Sequence, residues 1–232
     1  MAVAAATALV VGATGNIGSE LAKQLSAGGY KVLTAARANA DIQLDICSLE
    51  SVRGLDKQIP DGVDHVVVCC GASQFGPLKS FTAEKWGANI ASKLVSVTQL
   101  VVALVNQEEG CAGVLRDNGS ITVTAGQLSR TINVFTPGIA ANNAGLEAFV
   151  MNAGLDMPRG LRMNAVSPSL ILETAVKAKL PTEGAVPAAD VAAAYLPLIA
   201  GSDTARVVDA GVQVAFQKSH RAGTSEKSSA DA

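Results

Sequence analysis

The residues whose types and spacing could do chemistry come early in the chain. Gly12-Ala13-Thr14-Gly15-Asn16-Ile17-Gly18 follows the apolar run from Thr7 to Val11 and leads into a helical pattern. Glycines at such a junction permit a tight turn, let backbone N–H groups approach a pyrophosphate and let the helix pack closely on its strand. The helix N-terminus also favours negative charge. The run points to a bound dinucleotide, with Gly12, Thr14, Gly15, Asn16 and Ile17 nearest it; a turn kept for packing alone is the alternative. The next strand pattern ends Thr34-Ala35-Ala36-Arg37, without the Asp or Glu that would take a ribose 2′-hydroxyl. An arginine there can pair with the 2′-phosphate of NADP(H), which is the expected cofactor. A solvated surface arginine is the plainer reading.

Other chemistries find little support. The four cysteines, Cys47, Cys69, Cys70 and Cys111, have no metal-ligand spacing, so no metal is expected. Cys69 and Cys70 alternate between the two faces of an apolar strand and read as small core residues, and reduced thiols point to the cytoplasm. His65 suits an interior or interfacial site and the second histidine lies near the C-terminus, so a Ser-His-Asp triad is not supported.

The elements that must position these residues form an alternating pattern. Strands are expected at Thr7 to Val11, Lys31 to Ala35, Ile42 to Leu44, His65 to Cys69, Ser120 to Thr124, Arg162 to Val166 and Val207 to Val214. Helices are expected near Ile17 to Ala27, Leu49 to Lys57, Thr82 to Val105, Ala140 to Asp156 and Ala188 to Leu198, with Ser48 and Thr82 as N-caps. The fold class is α/β: a doubly wound parallel sheet of about seven strands, a Rossmann fold. The second crossover is shortened, because Arg37 to Asp41 leaves room only for a loop. One domain is expected over residues 1–216. Residues 217–232, rich in Ser, Ala and charge without apolar periodicity, are expected to be a disordered tail.

Composition narrows the partners. Aromatic residues make up 3% of the chain, so Ala, Val, Leu and Ile must build the core, which suits buried parallel strands. A net charge of -2 offers no electrostatic reason for nucleic acid or an anionic membrane, and leaves a small-molecule substrate as the default. The first residues run straight into the glycine loop and read as a strand, and no stretch is expected to supply the ~20 uncharged apolar residues of a membrane span.

Further motifs carry a family resemblance. The glycine loop, Asp45-Ile46 after the third strand, Gly71 after the fourth, Trp86 opening a long helix, Ala144-Gly145-Leu146-Glu147-Ala148-Phe149 and Leu161-Arg162-Met163-Asn164-Ala165-Val166-Ser167-Pro168 together resemble the short-chain dehydrogenase/reductases, nearly to Val214. The resemblance implies that Asp45 and Ile46 contact the adenine, that Cys70 and Gly71 lie along the dinucleotide, and that Pro168 to Ile171 lie beside the nicotinamide. It also implies a homodimer or homotetramer through helices 86–105 and 140–156.

That family works with a Tyr-x-x-x-Lys pair, a serine and an asparagine. On the alignment, Ile139 stands at the tyrosine position, Asn143 at the lysine position and Gly126 at the serine position. Isoleucine cannot donate a proton. The asparagine position falls on Lys93, counted from Trp86; Asn89 competes for it if the alignment slips. In that place Lys93 could act as electrophile, proton donor or cofactor clamp, or else snorkel at the edge of a subunit interface. Thr124, Gln127, Asn142 and Asn143 can orient a ligand near the mouth; Thr124 is assigned to the cofactor, Gln127 and Asn143 to weak catalytic roles.

The resemblance therefore implies fold and cofactor better than chemistry. An NADP(H)-dependent oxidoreductase reducing a small carbonyl or enone without the usual pair is the first expectation. A catalytically silent NADP(H)-binding sensor or partner subunit is the second, and a non-redox isomerase or lyase reusing the pocket the third.

Overall fold

A computed structural model describes residues 5–211. The expected tail and the end of the last expected strand lie outside these residues. Seven parallel strands are hydrogen-bonded in the order β3-β2-β1-β4-β5-β6-β7: β1 (Thr7–Val11), β2 (Lys31–Ala36), β3 (Ile42–Gln43), β4 (Val63–Val68), β5 (Leu115–Thr124), β6 (Arg162–Pro168) and β7 (Val207–Ala210). The order reverses between β1 and β4, the switch point at which a doubly wound sheet leaves a crevice outside the carboxyl ends of its strands.

The shortened crossover is real, and its geometry explains how a loop can replace a helix. β3 has only two residues, and its Ile42 pairs with Ala35 and Gln43 with Ala36 at the far end of β2. The chain turns back on itself over 37–41 instead of returning the length of the sheet. Asp41 secures the bend by accepting from Thr34 N at 2.9 Å and Thr34 Oγ1 at 2.7 Å. These bonds hold its carboxyl below the usual range. The outer edge of β3 is closed by a side chain: Gln58 Oε1 accepts from Gln43 N, and Gln58 Nε2 donates to Gln43 O.

Helices cover both faces. On one side α1 (Asn16–Ala27), α8 (Ala188–Ala193) and α9 (Leu196–Ala200) pack Leu21, Leu25, Val191, Tyr195 and Ile199 against Ala8, Val10 and Val67. On the other, α2 (Leu49–Val52), α3 (Leu55–Gln58), α5 (Ser96–Val105) and α6 (Pro137–Ala153) bring Val52, Leu55, Leu100, Leu104, Leu146 and Val150 onto Leu9, Val66, Val68 and Ile121. Two expected helices are interrupted: Gly54 separates α2 from α3, and α8 ends at Ala193 because Pro197, in the first turn of α9, has no N–H to carry the helical bonding on. α6 starts earlier than expected because Pro137 is accommodated at the first helical turn, where its missing N–H costs nothing. Ser48 and Thr82 cap as expected, accepting from Ser51 N and Lys85 N.

α4 (Ala83–Ile90), a π-helical turn (Ala91–Val95) and α5 run on as one 23-residue helix, Ala83–Val105. By length and composition it could cross a membrane, contrary to the expectation from sequence. In the fold its inner residues Val97, Leu100, Val101 and Leu104 are core. A short helix, α7 (Leu172–Lys177), follows β6.

Candidate functional site

Residues from distant parts of the chain meet along the carboxyl edge of the sheet. Gly12 takes φ +86°, a conformation that side chains disfavour, and a Cβ there would lie 2.7 Å from Cys70 Cβ. A Cβ at Gly18 would lie 2.3 Å from the Gly12 carbonyl oxygen, so α1 approaches the loop as closely as glycine permits. Gly12 N donates to Ala35 O at 2.7 Å, which ties the loop to β2. Thr14, Gly15 and Asn16 are exposed beyond it, and Ile17 is half-buried. This is the cradle of backbone N–H groups at a helix start that suits a pyrophosphate. Asn16 Nδ2 donates to Thr174 Oγ1 at 3.2 Å, so α7 leans over the same edge.

Arg37 and Asp45 line one hollow of about 450 Å³ together with Gln43, Ser51 and Gln58. Asp45 Oδ1 accepts from Cys47 N, and Ile46 is buried in the core beneath. Cys70 lies between this end and the next feature: the charges of Lys93 and Arg37 both act on its thiol, which burial pushes up to about 12. Cys69 faces the opposite side, against Thr124 and Tyr195, and burial likewise pushes it up to about 12. Neither thiol is a nucleophile at neutral pH.

Lys93 is the centre of the site. It sits in the π-helical turn, a helix distortion frequent at functional sites, and is 9% exposed. Its Nζ donates to Asn143 Oδ1 at 2.8 Å and to Ala125 O at 3.2 Å. None of the ion pairs among the described residues involves it. Loss of solvent lowers its pKa to about 8, partly opposed by Cys70. An amine so placed can donate a proton or hold a developing oxyanion. Gly71, at φ +114°, lies against its stem.

The structure thus brings together Gly12, Cys70, Gly71, Lys93 and Asn143, and separately Arg37 with Asp45. It does not bring Thr124 to Lys93. Thr124 Oγ1 bonds Val68 O and Tyr195 Oη, each at 2.7 Å, on the other face of the sheet. Gln127 is buried and its Nε2 reaches Gly211 O at 3.4 Å. Pro168 ends β6, and Ile171 bridges to Val186 at the foot of α7.

Sequence reasoning missed two supports. Buried Asn89 accepts from Gln74 N and donates to Gly138 O, while Asn142 donates to Ser73 Oγ and Asn89 O. This amide belt ties α4, α6 and the loop after β4 together and engages the Asn89 side chain at both ends. Arg130 bridges Glu147 and Asp209, and Ser167 donates to Glu147. Glu147, the one charged residue of α6, was the available signal.

A doubly wound sheet with a glycine-cradled helix start at its switch point defines a dinucleotide-binding type of protein. The chain belongs to the short chain dehydrogenase family, whose profile matches residues 6–184. A solved structure of a protein from Listeria innocua is 33% identical with a TM-score of 0.80, covering 88% of this chain and 99% of that one. A small-chain dehydrogenase solved in complex with NADPH is 28% identical with a TM-score of 0.75, covering 89% and 97%. The 3-oxoacyl-acyl-carrier-protein reductase FabG of Vibrio cholerae is 26% identical over 190 residues, 74% of this chain and 75% of that protein.

Proposed function

We propose that this oxidoreductase-family chain binds NADP(H) along the groove from Arg37 to Lys93 and reduces a small carbonyl or enone, with Lys93 in place of the missing tyrosine. The observation that carries the reading is the buried Lys93 ammonium, held among the described residues by two neutral acceptors, Ala125 O and Asn143 Oδ1. Gly12 to Ile17 would hold the pyrophosphate, Arg37 the 2′-phosphate, and Asp45 with Ile46 the adenine. The complex of the similar small-chain dehydrogenase with NADPH supports this choice of cofactor. Bound NADPH supplies a hydride. The Lys93 ammonium stabilises the oxyanion that forms on the substrate and gives it a proton; the neutral amine is then reprotonated from solvent.

A second reading, a catalytically silent NADP(H)-binding protein, is favoured by Ile139, half-buried at the position where the family has its proton donor. One set of measurements separates the two. Calorimetric titration should show NADPH binding at least about ten times more tightly than NADH, a difference of about 1.4 kcal/mol. NADPH oxidation is then followed against aldehydes, quinones and enones. Lys93→Met should lower saturated turnover about a hundredfold or more with little change in cofactor affinity. A clamp would instead cost about 1–3 kcal/mol of NADPH affinity. NADPH binding without oxidation against any of these substrates supports the silent reading, and wild-type turnover and affinity in Lys93→Met would remove Lys93 from the chemistry.

A further inference from the structure

Three segments distant in sequence confine the Lys93 side chain. On one side Gly71 closes on its stem: a Cβ at 71 would lie 2.7 Å from Lys93 Cγ and 3.3 Å from Lys93 Cα. On the other, Ala125 O and Asn143 Oδ1 take two of its three N–H donors. With the stem fixed, the direction of the head is decided by its acceptors. Asn143 is the one side chain among the described residues that accepts from it.

The Asn143 amide is itself held in place. It is 3% exposed, and its far end lies against Gly126, where a Cβ would come within 2.6 Å of Asn143 Nδ2 and 3.3 Å of Cγ. Any side chain at 126 would therefore occupy the volume of this amide. The obstruction is the tip of a side chain and not backbone, so a small substitution there would move the amide and leave the fold.

We propose that Asn143 is a positioning residue for Lys93, its side-chain carbonyl holding the ammonium at the end of the dinucleotide groove, and that glycine at 126 is the space this amide requires. The inference rests on Lys93 being the reacting cation and specifies how it is presented. A neutral carbonyl orients an ammonium without the ion pair that a carboxylate would form, and so leaves the proton available for transfer. Just beyond β4 lies the Cys70 thiol, whose own pKa burial pushes up to about 12 and which partly opposes the lowering of Lys93; just beyond β5 lie Ala125 and Gly126, and α6 brings Asn143; none of the ion pairs among the described residues involves Lys93.

Titration of Lys93 itself provides the test. The chain is labelled at lysine with carbon-13 in the ε position, and the Lys93 resonance, assigned by its loss in Lys93→Met, is followed from about pH 6 to about pH 11, which brackets the ordinary lysine value. Asn143→Asp should raise the midpoint by about one pH unit or more, because a carboxylate favours the ammonium. Asn143→Leu should lower it, and Gly126→Ala, which leaves Asn143 in the chain but displaces its amide, should move it in the same direction as Asn143→Leu. Midpoints equal to wild type in Asn143→Leu and Gly126→Ala would overturn the proposal. The titration needs neither cofactor nor substrate, so it decides the role of Asn143 even if the turnover of Lys93→Met shows that Lys93 carries no chemistry. Where turnover is measurable, the alkaline limb of the saturated rate should rise in Asn143→Asp by the same interval as the midpoint, with KM little changed.

Discussion

A lysine that is 9% exposed and has no carboxylate partner among the described residues leaves a signature in stability. Burial lowers the folded-state pKa of Lys93 to about 8, while the unfolded chain keeps the ordinary value near ~10.4. Between these values the unfolded state binds more protons, so stability rises with pH through that window; below it the folded chain carries the whole cost of a buried ammonium. Lys93→Met removes the charge and keeps the length. It should therefore be more stable than wild type near neutral pH, by an amount on the order of 1–3 kcal/mol, and the gap should close as pH approaches ~10.5. Urea unfolding of both proteins at the two ends of the window checks this, and a gap that does not change with pH would remove the buried charge as its cause. A site that keeps such a destabilising group is of the kind expected where function outweighs stability.

Local constraints decide how closely the elements approach at the site. The start of α1 sits against the glycine loop with no room for a methyl group at position 18, and the atoms it would meet belong to the Gly12 and Ala13 backbone. Gly18→Ala must therefore push α1 away from the cradle. A loss of about 1–3 kcal/mol in stability is expected, together with about tenfold or greater weakening of NADPH binding. Gly87→Ala is the matched control: it lies in α4, an added Cβ meets nothing within 4 Å, and the change should stabilise by about 0.5–1 kcal/mol without affecting NADPH. Thermal melts and calorimetry of the pair read both effects. The same logic of close approach applies to the π-helical turn, which lies between Asn89 in the amide belt and the apolar inner face of α5 and presents Lys93 between them.

At the scale of the molecule, the long helix poses a question of coverage. Its inner residues are core, yet Val95 and Val102 are exposed on it, as are Met151 on α6 and Leu155 just beyond. Large apolar residues grouped on neighbouring helices mark an association surface. We propose that a second copy of the chain covers them in a homodimer or homotetramer, since a two-fold axis pairs like faces with like. Light scattering at micromolar concentration should give a mass of two or four chains, and Val102→Glu should shift it toward one. A wild-type monomer would refute this assembly and leave the helix face to another partner.

Much of this molecule is local in origin and was therefore readable from sequence. The glycine run, the alternation of apolar strands with helical patterns, the bend at 37–41 and the capping residues Ser48 and Thr82 each depend on neighbours a few positions away, and the structure has them where the pattern puts them. That Ile139 and Asn143 stand where the family's tyrosine and lysine are expected is likewise an expectation read from the sequence alone. Tertiary structure decided the rest, because it turns on which side chains face each other across large separations. Thr124 lay in the right strand but points to the face of Tyr195, since successive side chains on a strand alternate. Asn89, a rival to Lys93 by position, bonds Gln74 N through Oδ1 and Gly138 O through Nδ2. Whether Lys93 would snorkel outward or turn inward depended on an acceptor fifty positions away and on two glycines, 71 and 126, that leave room for its stem and for that acceptor. Spacing along a helix cannot show this, because the volume that admits a buried amine belongs to three elements at once.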